Sequence, residues 1–224
     1  MYFFAAFCYN ASMSKYPINL DLAGKPVTVI GAGAVGARKI RALCNADAKV
    51  TVVSKNFASD FDNICKGLDI EVIEGTYKTG HIKNAVLAIA ATDDRALNEQ
   101  IYKDCQAAKV ICNIVDVPDL CDFYVPAVVK RGDLQIAIGT DGKCPAYSGR
   151  IRRKLEEIFT EDHGKFLDEL GIARIKTIEN TPPPVRMPIL KKLSEDESYE
   201  YFLKNGSKAW QKMADKTITN WPTE

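Results

Sequence analysis

Val27-Thr28-Val29-Ile30-Gly31-Ala32-Gly33-Ala34-Val35-Gly36 decides the fold. A short β-branched run passes straight into a G-x-G-x-x-G loop, and a helical pattern follows over residues 35–44. Each glycine has its own task there. Gly31 permits the tight turn, Gly33 lets backbone approach a pyrophosphate, and Gly36 lets the helix pack close to the strand. The helix N-terminus, at Ala34 and Val35, then offers N–H groups and a dipole that favour phosphate charge. A lone motif of this kind is weak evidence, but strand–loop–helix context makes dinucleotide binding the stronger reading over a merely structural glycine loop.

Working outward, near-continuous apolar runs at residues 27–30, 49–53, 70–73, 85–90 and 110–115 are expected strands, buried on both faces of a parallel sheet. Helical stretches lie between them, clearest at 35–44 and 95–107. This βαβ alternation predicts an α/β, Rossmann-like, doubly wound parallel sheet with right-handed crossovers.

After Asp116 the pattern changes. Residues 123–129 and 134–138 are β-like, with Lys130-Arg131-Gly132-Asp133 as the turn between them. A helix is expected from Pro145, with Ile151, Leu155, Ile158 and Phe159 on one face. Beyond Gly164 helices are expected throughout: one around Phe166, Leu167, Leu170 and Ile175, a break at Thr181-Pro182-Pro183-Pro184, then helices over 189–203 and 207–218. The expected division is a dinucleotide-binding domain at 1–125, a separate segment at 126–159, to which the resemblance given below assigns dimerisation, and a small helical domain at 160–224.

Composition narrows the function classes. The 224 residues carry a formal net charge of +1, so bulk electrostatics favour neither nucleic acid nor a membrane surface. Seven scattered cysteines with no Cys-x-x-Cys pair, and only two histidines, are poor material for a metal site or a disulfide framework. They fit a reducing compartment, and cytoplasmic location is expected. No apolar run approaches the roughly 20 residues that span a bilayer. The apolar start, MYFFAAFCY, lacks a basic segment and a cleavage site, and Met13 is a plausible alternative start.

Carboxyl ends of parallel strands line the ligand crevice. After the second strand comes Val53-Ser54-Lys55-Asn56, without the acid that NAD-preferring folds place there. Ser54 is a candidate cofactor contact; Lys55 could meet a 2′-phosphate or be a solvated surface lysine, which leaves NAD against NADP open. Thr92 is a candidate dinucleotide contact at the end of the fourth strand, and Thr92-Asp93 could equally cap the next helix. Cys112-Asn113-Ile114-Val115-Asp116 places a polar pair at the end of the fifth, on the expected nicotinamide side. A carboxylate there can accept a proton while the nicotinamide ring takes a hydride, although Asp116-Val117-Pro118 also suits a turn.

Taken in order, Gly31–Gly36, Ala90-Ala91-Thr92-Asp93-Asp94 with Asn98, Cys112-Asn113-Ile114-Val115-Asp116 and Phe123-Tyr124-Val125-Pro126 resemble the precorrin-2 dehydrogenases, the dehydrogenase/ferrochelatase module of siroheme synthases. Residues 134–142, Cys144-Pro145 and the basic helix extend the match; the helical tail resembles the family in general character only. The resemblance implies NAD-dependent oxidation of precorrin-2 to sirohydrochlorin, and in some members insertion of ferrous iron to give siroheme. It places the functional aspartate on Asp116 and nucleotide contacts on the Gly31–Gly36 loop, Thr92 and Asn113. It also implies a homodimer formed through about residues 126–159. Relatives often have Ser-Pro where this chain has Cys144-Pro145, which puts any role of that hydroxyl in doubt and leaves Cys144 a candidate neighbour of the substrate cleft.

Precorrin-2 carries acetate and propionate arms, which a neutral protein must meet with a local cationic patch. Arg150, Arg152, Arg153 and Lys154 on the helix after Pro145, with Lys130 and Arg131, are the candidates. Arg150 and Arg153 are one turn apart and share a face, so they are favoured, with Lys130 alongside. Glu156, Glu157 and Glu161 could instead neutralise a plain surface helix. Two other readings stay open: a nucleotide-sensing regulatory domain, and a dehydrogenase of another small metabolite.

Overall fold

The computed structural model describes residues 15–222. The apolar start, Met13 and Cys8 lie outside the described residues. The chain forms two compact units, one ending at Val125 and one beginning at Pro126.

In the first unit, β1 (Pro26–Ala32), β2 (Lys49–Phe57), β3 (Ile70–Glu74), β4 (Leu87–Ala90) and β5 (Ile111–Ile114) form one parallel sheet, in the order β3-β2-β1-β4-β5. The helices are α1 (Ala34–Cys44), a short α2 (Phe61–Cys65) and α3 (Arg95–Ala108). Alternation along the strands feeds two cores. Val27, Val29, Leu87 and Ile89 pack with Ala37, Ile40 and Leu43 of α1, while Ile30, Ala88 and Ala90 pack with Ile101 and Cys105 of α3. Fully buried residues such as Ile40 and Ile101 each contribute about 1.5–3 kcal/mol of hydrophobic burial. This is the Rossmann-like doubly wound fold expected from sequence. Its switch point lies between β1 and β4, where the strand order reverses.

Several boundaries differ from expectation. β4 begins at Leu87 because Ala85 is still held in a turn by Ile82 O. β2 continues to Phe57, and its register with β1 jumps between Ile30↔Val53 and Ala32↔Phe57. Residues 54–56 therefore bulge instead of ending the strand.

In the second unit, β6 (Ala127–Arg131) and β7 (Leu134–Ile138) pair antiparallel. Residues 123–126 are not strand, and Lys130 and Arg131 belong to β6, paired with Gln135 and Leu134. The turn itself is Gly132-Asp133, where Gly132 takes φ 57°. α4 (Pro145–Ile158) starts on proline, whose missing N–H costs nothing at that position. Arg131 closes its other end: Nε donates to Phe159 O at 2.8 Å and Nη2 to Glu156 O at 3.2 Å.

α5 (Glu161–Asn180), α6 (Pro183–Leu193) and α7 (Asp196–Thr219) pack around Phe166, Ala173, Ile189, Phe202 and the fully buried Trp210. Trp210 Nε1 donates to Ser198 Oγ at 2.9 Å, so its buried donor is satisfied. The tail departs from the expected helix over 189–203, because the chain breaks at Ser194-Glu195, whereas the interruption at Gly206, whose φ 75°, ψ 171° is non-helical, falls in the gap expected between residues 203 and 207.

Candidate dinucleotide site

The glycine loop has the geometry its sequence requires. A Cβ on Gly31, at φ 98°, would lie 2.3 Å from Ala91 O, and one on Gly36 would lie 2.1 Å from Gly31 O. Gly33 has nothing within 4 Å of its Cβ position, so open space stands over the loop. α1 starts there with no side-chain cap and no acid in its first turn, and Ala37 N donates to Gly33 O at 2.9 Å. The N–H groups of Ala34 and Val35 are left for an anion. The residues present therefore fit a dinucleotide pyrophosphate.

Two polar braces hold this loop. Ser54 is buried; its Oγ accepts from Ala32 N at 3.1 Å and donates to Asn56 O at 2.6 Å. The hydroxyl is thus engaged in shaping the loop and the β2 bulge, while Lys55 beside it is exposed. After β4, Thr92 Oγ1 donates to Asn98 Oδ1 at 2.7 Å and Asn98 Nδ2 returns a bond to Thr92 O at 3.0 Å. The cap of α3 is Asp94, which accepts from Leu97 N at 3.0 Å; Thr92-Asp93 does not cap it.

At the end of β5, Asn113 is buried and its Nδ2 donates to Phe123 O at 2.9 Å. Asp116 sits on the turn that follows, exposed and at φ 62°. Among the described residues its carboxylate has no hydrogen bond or ion pair. A depression of about 610 Å³, lined by Asn98, Tyr102, Val117 and Leu120 among others, opens beside it.

Lys39 was not singled out from sequence, because a lysine after an arginine on a helix usually faces solvent. Here it is half-buried on α1. Burial, then the neighbouring Arg38, push its pKa below the ordinary lysine value, and the charge of Asp116 partly opposes them. Lys39 thus lies within electrostatic reach of Asp116.

In the second unit, Arg152 is ion-paired with Glu156, and Arg131 is engaged at the end of α4 with Glu161 3.4 Å away. Arg150, Arg153 and Lys130 are exposed and have no ion pair among the described residues. Cys144, exposed, is the N-cap residue of α4. A cavity of about 420 Å³ among the C-terminal helices is lined by Lys176 and Asp215, which neutralise each other at 2.6 Å. No group of three or more metal-ligating side chains occurs among the described residues, and no described helix is long and apolar enough to cross a membrane.

Comparison with known proteins agrees with this geometry. A family described as NAD(P)-binding matches residues 18–127, and one described as sirohaem biosynthesis protein central matches residues 131–158. A siroheme synthase from Psychrobacter sp. (strain PRwf-1) is 32% identical over 170 residues, covering 76% of this chain and 35% of the relative. One from Ruthia magnifica subsp. Calyptogena magnifica is 34% identical over 167 residues, covering 75% and 35%. The chain thus spans about a third of the length of these relatives. A solved structure described as SirC, precorrin-2 dehydrogenase, shares the fold with a TM-score of 0.72 at 23% identity, covering 90% of this chain and 100% of that one. The two family matches follow one another along the chain as the glycine loop and the segment beyond β5 do, and over that stretch the chain is similar to the siroheme synthases.

Proposed function

We propose that this protein oxidises precorrin-2 to sirohydrochlorin with NAD as the acceptor. The observation that carries this reading is Asp116: an unpartnered carboxylate on the turn after β5, beside an open depression, in a sheet whose glycine loop suits a dinucleotide. Ala34 and Val35 N–H groups would hold the pyrophosphate, and Thr92 would fix the loop beneath it. When bound, NAD supplies a hydride acceptor. Asp116 takes the proton that leaves a pyrrole-type N–H, so that one hydride and one proton leave the substrate together.

Arg150 and Arg153, with Lys130, meet substrate carboxylates, a task suited to the planar guanidinium fork. The enzyme acts in the cytoplasm as a homodimer assembled through residues 126–159. A purely sensory nucleotide domain would have no use for an unpaired carboxylate at this position. Asp116→Asn tests the reading: NADH binding persists while oxidation falls by about a hundredfold or more. Oxidation at the wild-type rate by that variant would remove Asp116 from the chemistry.

A further inference from the structure

The turn that carries Asp116 is closed by a thiol. Cys121 Sγ donates toward Ile114 O at 3.1 Å and Val117 O at 3.3 Å, and it accepts from Asn113 Nδ2 at 3.4 Å. Ile114 and Val117 are the two ends of the turn, and Val117 N also closes on Ile114 O at 3.2 Å. Asp116 lies between them at a left-handed φ of 62°, a conformation that a β-carbon disfavours and that surrounding bonds must hold.

The next residues lock the same base. Asp122 N donates to Cys112 O at 2.9 Å, while Cys112 N donates to Asp122 Oδ2 at 2.9 Å. Asn113 Nδ2 reaches Phe123 O. Residues 121–123 therefore lie back along the outer edge of β5, and Cys121 is the member of this clamp that reaches the turn. Burial pushes its thiol pKa up, so the sulfur keeps the proton it donates.

We propose that Cys121 is a positioning residue for Asp116: its thiol closes the turn and thereby aims the carboxylate, without contributing to nucleotide binding. This rests on the role given to Asp116 above. The test compares Cys121→Ala with Cys121→Ser in the full chain, reading amide exchange at Val117, the NADH dissociation constant, and kcat and KM for precorrin-2. In Cys121→Ala, Val117 exchange rises and kcat falls, each about fivefold, the size of one lost hydrogen bond. NADH affinity stays within about twofold, and Cys121→Ser, which keeps a donor, restores both. Unchanged Val117 exchange in Cys121→Ala would overturn the proposal. So would equal losses in both variants accompanied by loss of NADH binding, since that marks general packing. Should wild-type protein fail to oxidise precorrin-2, the exchange comparison still decides the role of Cys121, and the proposed function alone falls.

Discussion

Thr92 and Asn98 hold each other by two reciprocal hydrogen bonds, 2.7 Å from Thr92 Oγ1 to Asn98 Oδ1 and 3.0 Å from Asn98 Nδ2 to Thr92 O. This clamp fixes the segment after β4 whose Ala91 carbonyl sits against Gly31, and Thr92 Cγ2 would lie 3.2 Å from a Cβ placed there. Asn98 is 5% exposed, so water replaces its bonds poorly. Asn98→Ala is expected to cost about 1–3 kcal/mol in urea unfolding and to weaken NADH binding. A variant with wild-type NADH affinity would show that the glycine loop does not depend on the clamp.

The glycines separate folding from binding. Gly33→Ala meets no neighbour and keeps an ordinary φ of −71°, so its stability should stay within about 1 kcal/mol of wild type. Its methyl group enters the space over the loop, and NADH affinity should fall about tenfold or more. Gly36→Ala drives a Cβ into Gly31 O and should unfold the protein or depress its melting temperature sharply. Denaturation and NADH titration of both variants check the contrast.

Lys39 makes stability depend on alkaline pH. Its folded pKa lies below the ordinary 10.5, so the fold disfavours its charge. Below the folded value both states are protonated and the penalty is complete. Between the folded value and about 10.5 the unfolded chain binds more protons, and stability rises with pH. Lys39→Met should therefore be more stable than wild type at neutral pH, and the gain should shrink as pH approaches 10.5. Urea midpoints against pH measure this; parallel curves for the two proteins would contradict it.

The cations of α4 should divide by pairing. Arg150→Gln and Arg153→Gln are each expected to raise KM for precorrin-2 about tenfold with NADH affinity unchanged. Arg152→Gln should do less, because Glu156 already holds its guanidinium. Equal effects from all three would indicate a diffuse field instead of specific contacts.

What could be read from sequence was what local chemistry dictates. The glycine loop and the parallel sheet follow from steric demands at Gly31 and Gly36 and from apolar runs buried on both faces. Long-range bonds were not legible. The β2 bulge depends on Ser54 bonding across to Ala32, and residues 123–126 look like strand yet follow a segment pinned to β5 by side chains. In the tail the chain breaks at Ser194-Glu195, which carries no glycine or proline signal. Lys39 and Cys121 were missed because a helix lysine and a scattered cysteine have no distinguishing local pattern.

The most direct measurement is an anaerobic assay of the purified protein with freshly made precorrin-2 and either NAD or NADP, following sirohydrochlorin by absorbance. The predicted result is product formation that requires the protein and the nucleotide, faster with NAD. No product, from protein that is folded and binds NADH, would contradict precorrin-2 oxidation and favour a sensor or a dehydrogenase of another metabolite.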